Sequence, residues 1–349
     1  MNAFASDVLY LDFDNRRWHV HAFSPMGSMM RFVAIFLSLL LISGAQAASS
    51  PDTPGPSVHD LSSVFVNSYD ATSTSPISER IHALKQAMNQ QFPGFYGIER
   101  FNGNLSEAEL DGRMRKALSE FDAIRNDYIE KARQFSARYQ ADLVSFKQAF
   151  PGFQMTLPVY LVHSLGEMDG GPRSFNGQTY LVFGLDAMVR YHKGFRSEST
   201  FFHHELFHIY HGSFFNSCAE LWCRLWTEGL AVHVSRTLNP DANDAEALLD
   251  FPPGLHSRTL AALPEALHDL QPKLDSSDPA VISEIANTGP ETGRLPRRRA
   301  YVIGWLIARE LGQTRSLDEL ARLPDAQVRP LIDSAIHALL NKHENMKHD

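Results

Sequence analysis

The chain has 349 residues, 44% of them hydrophobic and 11% aromatic, enough to bury the core of one large domain or of one domain with a helical annex. Its formal net charge of -8 argues against a generalised nucleic-acid-binding or anionic-membrane surface, which would need clustered positive charge, so no nucleic-acid partner is expected. The one basic run, Arg297, Arg298 and Arg299, is short and reads as a solvated helix entrance.

Residues 1–29 lack the character of a signal n-region and read as an extension ahead of a start at Met29 or Met30. Residues 30–47 then read as a signal peptide. Arg31 precedes the apolar run 32–42, and Ala45 and Ala47 supply the small residues that a signal peptidase accepts. At about a dozen residues the run is too short to span a bilayer comfortably, so no stable membrane span is expected and the location is periplasmic or secreted. Residues 48–75 read as a flexible leader, because 48–57 is rich in Pro, Ser and small residues.

From 76 to 150 the pattern is helical. Apolar residues recur at three and four, "FPGFYG" interrupts them, and Ser106 with Glu109 makes a capping-box signature before a long heptad-like stretch. Two or more packed helices are expected there. Pro151-Gly152 ends this half, and the β-branched and aromatic runs 155–165 and 178–186 read as strands around the turn-rich 166–177. Helices return at 198–213, about 227–238, 263–273, about 297–312 and 325–341. The fold class is therefore α+β, mainly helical with a small sheet. Only two cysteines exist, Cys218 and Cys223. A disulfide between them fits an oxidising compartment and two free core thiols are the alternative; metal ligation is disfavoured because no second pair exists.

The densest chemistry lies in "HHELFHIYH", residues 203–211. His204, Glu205 and His208 form H-E-x-x-H. Residues four apart on a helix lie about 40° apart around the axis and about 6 Å along it, so both imidazoles can reach one zinc ion. His203 points about 100° away. His211 returns to the same face but about 10.5 Å from His204, too far for a third ligand. The long form with Gly at 211 and His at 214 is absent, because those positions hold His211 and Phe214. A glutamate does follow, Glu228, with 19 residues between it and His208 and with Ala231 three positions beyond it.

This stretch resembles the gluzincin class of zinc metallopeptidases, with the ligand gap of thermolysin-like enzymes; phrases on either side resemble bacterial proteins described as zinc-dependent proteases. The motifs cover residues 203–235. The resemblance implies a zincin-like catalytic region at 151–349 in which His204, His208 and Glu228 bind zinc, Glu205 is the general base and the substrate is a peptide or protein. One departure stands out: Val232 occupies the position of the Asp that orients a histidine in thermolysin-like enzymes, so that partner must come from elsewhere. Tyr301, one turn before Gly304, is the first candidate for stabilising the oxyanion, and His233 the second. Asp169-Gly170-Gly171 reads either as a substrate-facing loop or as a plain turn, and either expected strand could be the edge strand that pairs with substrate. The alternatives are a zinc amidase acting on a non-peptide substrate and a non-catalytic scaffold stabilised by zinc.

Overall fold

The computed structural model describes residues 56–345 apart from 102, 217 and 292. The extension, the signal peptide and the first part of the leader lie outside the described residues. The chain then runs through strand β1 (Val58–Asp60), α1 (Ser62–Ala71), α2 (Ile77–Gln91) and α3 (Glu107–Ala149) to strands β2 (Val159–Val162), β3 (Gly170–Phe175) and β4 (Gln178–Gly184). Helices α4 (Leu185–Tyr191), α5 (Ser199–His211), α6 (Leu221–Leu238), α7 (Leu255–Ala261), α8 (Leu263–Leu270), α9 (Pro279–Ala286), α10 (Arg299–Leu311), α11 (Leu317–Ala321) and α12 (Asp325–Asn345) follow. The mainly helical α+β class expected from the sequence is observed. No helix among the described residues is long and apolar enough to cross a membrane.

The expected capping box opens α3: Ser106 accepts from Glu109 N while the Glu109 carboxylate accepts from Ser106 N at 2.7 Å. The heptad-like face of this 43-residue helix buries Leu110, Met114, Phe121, Tyr128, Phe135, Leu143 and Phe146 inside the same molecule. Its Phe135 and Tyr139 meet Phe183 of β4 and Phe202 of α5 at ring distances of 5.1 to 5.8 Å. The two expected regions, 76–150 and 151–349, thus share one continuous core.

Several sequence readings are corrected. The leader does not extend to residue 75. β1 pairs in parallel with β2, Val58 opposite Val159, and Phe65 of α1 is buried and stacked on His163 at 3.8 Å. The Pro and Ser content that marks flexibility ends before this amphipathic stretch begins. Likewise, the segment 166–177 is more than a turn. The sheet order is β1-β2-β4-β3, and β3 pairs antiparallel with β4 through a tight reversal at Asn176-Gly177, both at positive φ. β3 carries two glycines and a proline, so local propensity conceals it; Pro172 is tolerated because β3 sits at the sheet edge. It is β3, rather than either expected strand, that lies at the edge beside α5.

The Arg297–Arg299 run is also not a solvated entrance. Arg299 is fully buried and donates at 2.7 Å to both Glu284 Oε1 and Asp269 Oδ2. Burial of a guanidinium is tolerated here because two carboxylates meet it.

Helices α6 and α10 approach until backbone touches backbone. A Cβ placed on Gly229 would lie 2.2 Å from the Gly304 carbonyl carbon, and one on Gly304 would lie 2.3 Å from Leu225 O. Neither neighbour can rotate away, so a methyl group forces the helices apart. Gly229→Ala is expected to cost about 1–3 kcal/mol or more in urea unfolding. Gly112→Ala, in open space on α3, should instead stabilise by about 1 kcal/mol. Equal responses of the two variants would contradict the close approach.

Candidate metal centre

Three side chains converge from α5 and α6. His204 Nε2 lies 2.9 Å from His208 Nε2, and Glu228 Oε2 lies 3.4 Å from the former and 3.5 Å from the latter. Tetrahedral zinc with bonds of about 2.0–2.1 Å requires ligand atoms about 3.3 Å apart, so the observed triangle fits one such ion with shifts of a few tenths of an ångström. Two imidazoles and one carboxylate are a donor set that suits zinc. The cluster is built by the packing just described: Glu228 precedes Gly229, and the contact of Gly229 with Gly304 fixes that turn of α6.

Electrostatics follow from burial. His204 and Glu228 are 2% and 9% exposed. Burial alone would raise the Glu228 carboxyl, but His208, then the hydrogen bonds from both imidazoles, hold it well below the usual range. Burial, with the charge of His208 adding to it, pushes His204 down to about 4. Among the described residues His204 Nδ1 is buried and meets no hydrogen-bond partner, so none of them supplies the orienting carboxylate of the absent Asp.

Glu205, 8% exposed, lies beside this cluster. Burial pushes its carboxyl up to about 7; Asp169 and Glu228 push the same way, while His208 and Arg173 oppose them. Gly171 of β3 faces it, and a Cβ there would lie 3.4 Å from Glu205 Oε2. With φ of 132° as well, residue 171 is suited to glycine on two counts. The Asp169-Gly170-Gly171 stretch therefore runs past the carboxyl that the motif supplies.

Tyr301, at the start of α10, stacks parallel to His204 with ring centroids 6.5 Å apart. Burial, reinforced by the charge of Glu228, raises its phenol above the ordinary range, so the hydroxyl keeps its proton. His233 does not join the site. It packs against Gly312, where a Cβ would meet its Nε2 at 2.8 Å, and Gly312 is about 16 Å along the helix from Tyr301.

The two remaining histidines of the motif separate in character. His203 Nε2 lies 2.7 Å from Ser145 Oγ and 3.2 Å from Asp142 O, and its Nδ1 lies 2.8 Å from Asn239 Nδ2, so one ring ties α5 to α3 and to the end of α6. His211 is sandwiched between Phe207 and Phe215, nearly parallel to both. Sequence reasoning missed Asn239 and the pairing of His192 Nε2 with Asp169 Oδ2 at 3.3 Å, neither of which has a fixed spacing to the motif. It also missed Arg298, whose guanidinium lies 3.8 Å above the Tyr301 ring.

Cys218 and Cys223 form a disulfide in the link between α5 and α6, as preferred from the sequence. Comparisons with protein-family models, with curated proteins and with solved structures returned no match, so the functional reading rests on the geometry of the chain itself.

His211 supplies a pH test of the helix that carries the motif. Burial, with the charge of His208 adding to it, pushes its imidazole down to about 3 from 6.5. Between these values the unfolded chain takes up a proton that the folded chain refuses, so stability falls as the pH drops through that window. In chelator, His211→Phe should gain on the native protein by roughly 1.4 kcal/mol per pH unit between pH 6 and 4 in urea unfolding. Parallel pH profiles would mean that the folded imidazole is protonated.

Proposed function

We propose that the protein is a zinc-dependent hydrolase of gluzincin type and that it cleaves peptide bonds. The observation that carries this reading is the convergence of His204, His208 and Glu228 with a buried carboxyl, Glu205, beside them. A site serving stability alone has no use for such a carboxyl, which disfavours the scaffold alternative.

Zinc bound there would lower the pKa of a water molecule toward neutrality and polarise the substrate carbonyl. Glu205, buried beside the triad, takes the proton from the attacking water and passes it to the leaving nitrogen. Tyr301, kept protonated, donates a hydrogen bond to the oxyanion that develops at the carbonyl. The half-buried His208 marks the side from which substrate enters. Export to the periplasm or the medium is part of the reading, supported by the residue pattern of 30–47 and by the disulfide.

The decisive experiment loads the mature protein with zinc and follows hydrolysis of a peptide library with and without chelator. Glu205→Gln should retain zinc and lose at least about 100-fold in kcat. Glu228→Gln should lose zinc itself. Tyr301→Phe should keep zinc and lower kcat by about 10- to 1000-fold with little change in KM. Undiminished turnover in Glu205→Gln would remove it as the base.

A further inference from the structure

Three arginines direct charge at the centre, and two of them face carboxylates. Arg173 Nε lies 3.3 Å from Glu167 Oε1, and Arg224 Nε lies 3.7 Å from Glu228 Oε1. Arg298 differs. Its Nη1 donates to two neutral acceptors, Phe251 O at 2.9 Å and Leu248 O at 3.4 Å, and its plane covers the Tyr301 ring. Among the described residues no carboxylate forms an ion pair with it. Its charge reaches Asp169, but that carboxylate is already engaged by His192 Nε2 and by Gly170 N at 3.1 Å.

The placement of this cation is specific. Arg298 takes the left-handed conformation, φ 62°, immediately before α10, an uncommon choice for a residue with a side chain. The carbonyls of Leu248 and Phe251 hold Nη1 and the Tyr301 hydroxyl accepts from the same guanidinium, leaving part of its donor fork for another acceptor. Through Tyr301 the guanidinium lies at most about 10 Å from the His204 ring, which is two to three residues of extended peptide. A half-buried guanidinium with neutral partners is suited to a planar anion, which it grips with two parallel hydrogen bonds.

We propose that Arg298 binds a carboxylate of the substrate one or two residues from the bond that is cut, so that the site selects peptides carrying an acidic side chain or a free C-terminus there. This deepens the hydrolase reading above and rests on it for the term substrate. Because the charge also lies over Tyr301, the same contact aligns the peptide with the phenol hydroxyl.

The test uses four versions of one peptide, with Asp or Asn near the scissile bond and with a free or an amidated C-terminus. Binding is measured on zinc-loaded Glu205→Gln protein, with and without Arg298→Gln added to it, and turnover on the zinc-loaded native protein and on the single variant Arg298→Gln. The expected result is that one carboxylate, that of Asp or that of the C-terminus, tightens binding by about 10- to 100-fold, and that Arg298→Gln removes this preference while the uncharged peptide binds as before. Arg298→Lys should restore part of it, because it keeps the charge and loses the fork. The carboxylate that confers the preference identifies its source. Equal losses for charged and uncharged peptides would make Arg298 a brace for the Leu248–Phe251 loop and overturn the proposal, as would indifference of the native site to all four versions. Selective binding without turnover would sink the peptidase reading and leave this one standing; turnover without selectivity would do the reverse.

Discussion

The close approach of α6 to α10 at Gly229 and Gly304 is the constraint on which the rest of the centre depends. Two imidazoles four residues apart need only a helix. A carboxylate from elsewhere needs a second helix at a fixed height, and Glu228 gains that height because its neighbour touches the α10 backbone. The same contact places the start of α10, and with it Tyr301 beside His204 and Arg298 over Tyr301. The side-chain set of the centre is therefore held by a contact between residues without side chains.

The first helix of the pair is fixed from the other direction. His203 binds α3 through Ser145 and Asp142 and the end of α6 through Asn239, while Glu198 just ahead of α5 pairs with Lys131 and Arg138 of α3. Under the proposed zinc reading rigid placement matters, because ligand atoms would have to stay within tenths of an ångström of a tetrahedral arrangement, and a charge or proton acceptor displaced by about 1 Å loses much of its effect. The sheet contributes from above, with the glycines of β3 letting backbone pass close to Glu205.

Much of this was legible in the sequence where one local rule suffices. The helical period gave α2, α3, α5, α10 and α12 nearly to their ends, the capping box marked the start of α3, and helical geometry separated His204 and His208 from their two neighbours. What escaped depends on partners distant in the chain. β1 is three residues long and gains its status from β2; β3 reads as a turn because its glycines serve the carboxyl opposite rather than strand propensity. The Asn176-Gly177 reversal was the one available hint of that hairpin. Arg299 looked solvated because nothing local announces Asp269 and Glu284, and His233 looked eligible because its spacing from Glu228 says nothing of the α10 end that it meets.

Helix α3 has a consequence for how such a chain could be processed. It is buried along one face from Leu110 to Phe146, and its aromatic residues interlock with β4 and α5 while β1, upstream of it, completes the sheet. A segment that shares its core with the motif helix is not a detachable cover. Its excision would strip the aromatic backing from α5 and leave His203 without two of its partners. A cut that removes an N-terminal segment and preserves the fold must therefore fall before Val58, and the helical half travels with the centre as part of one folding unit.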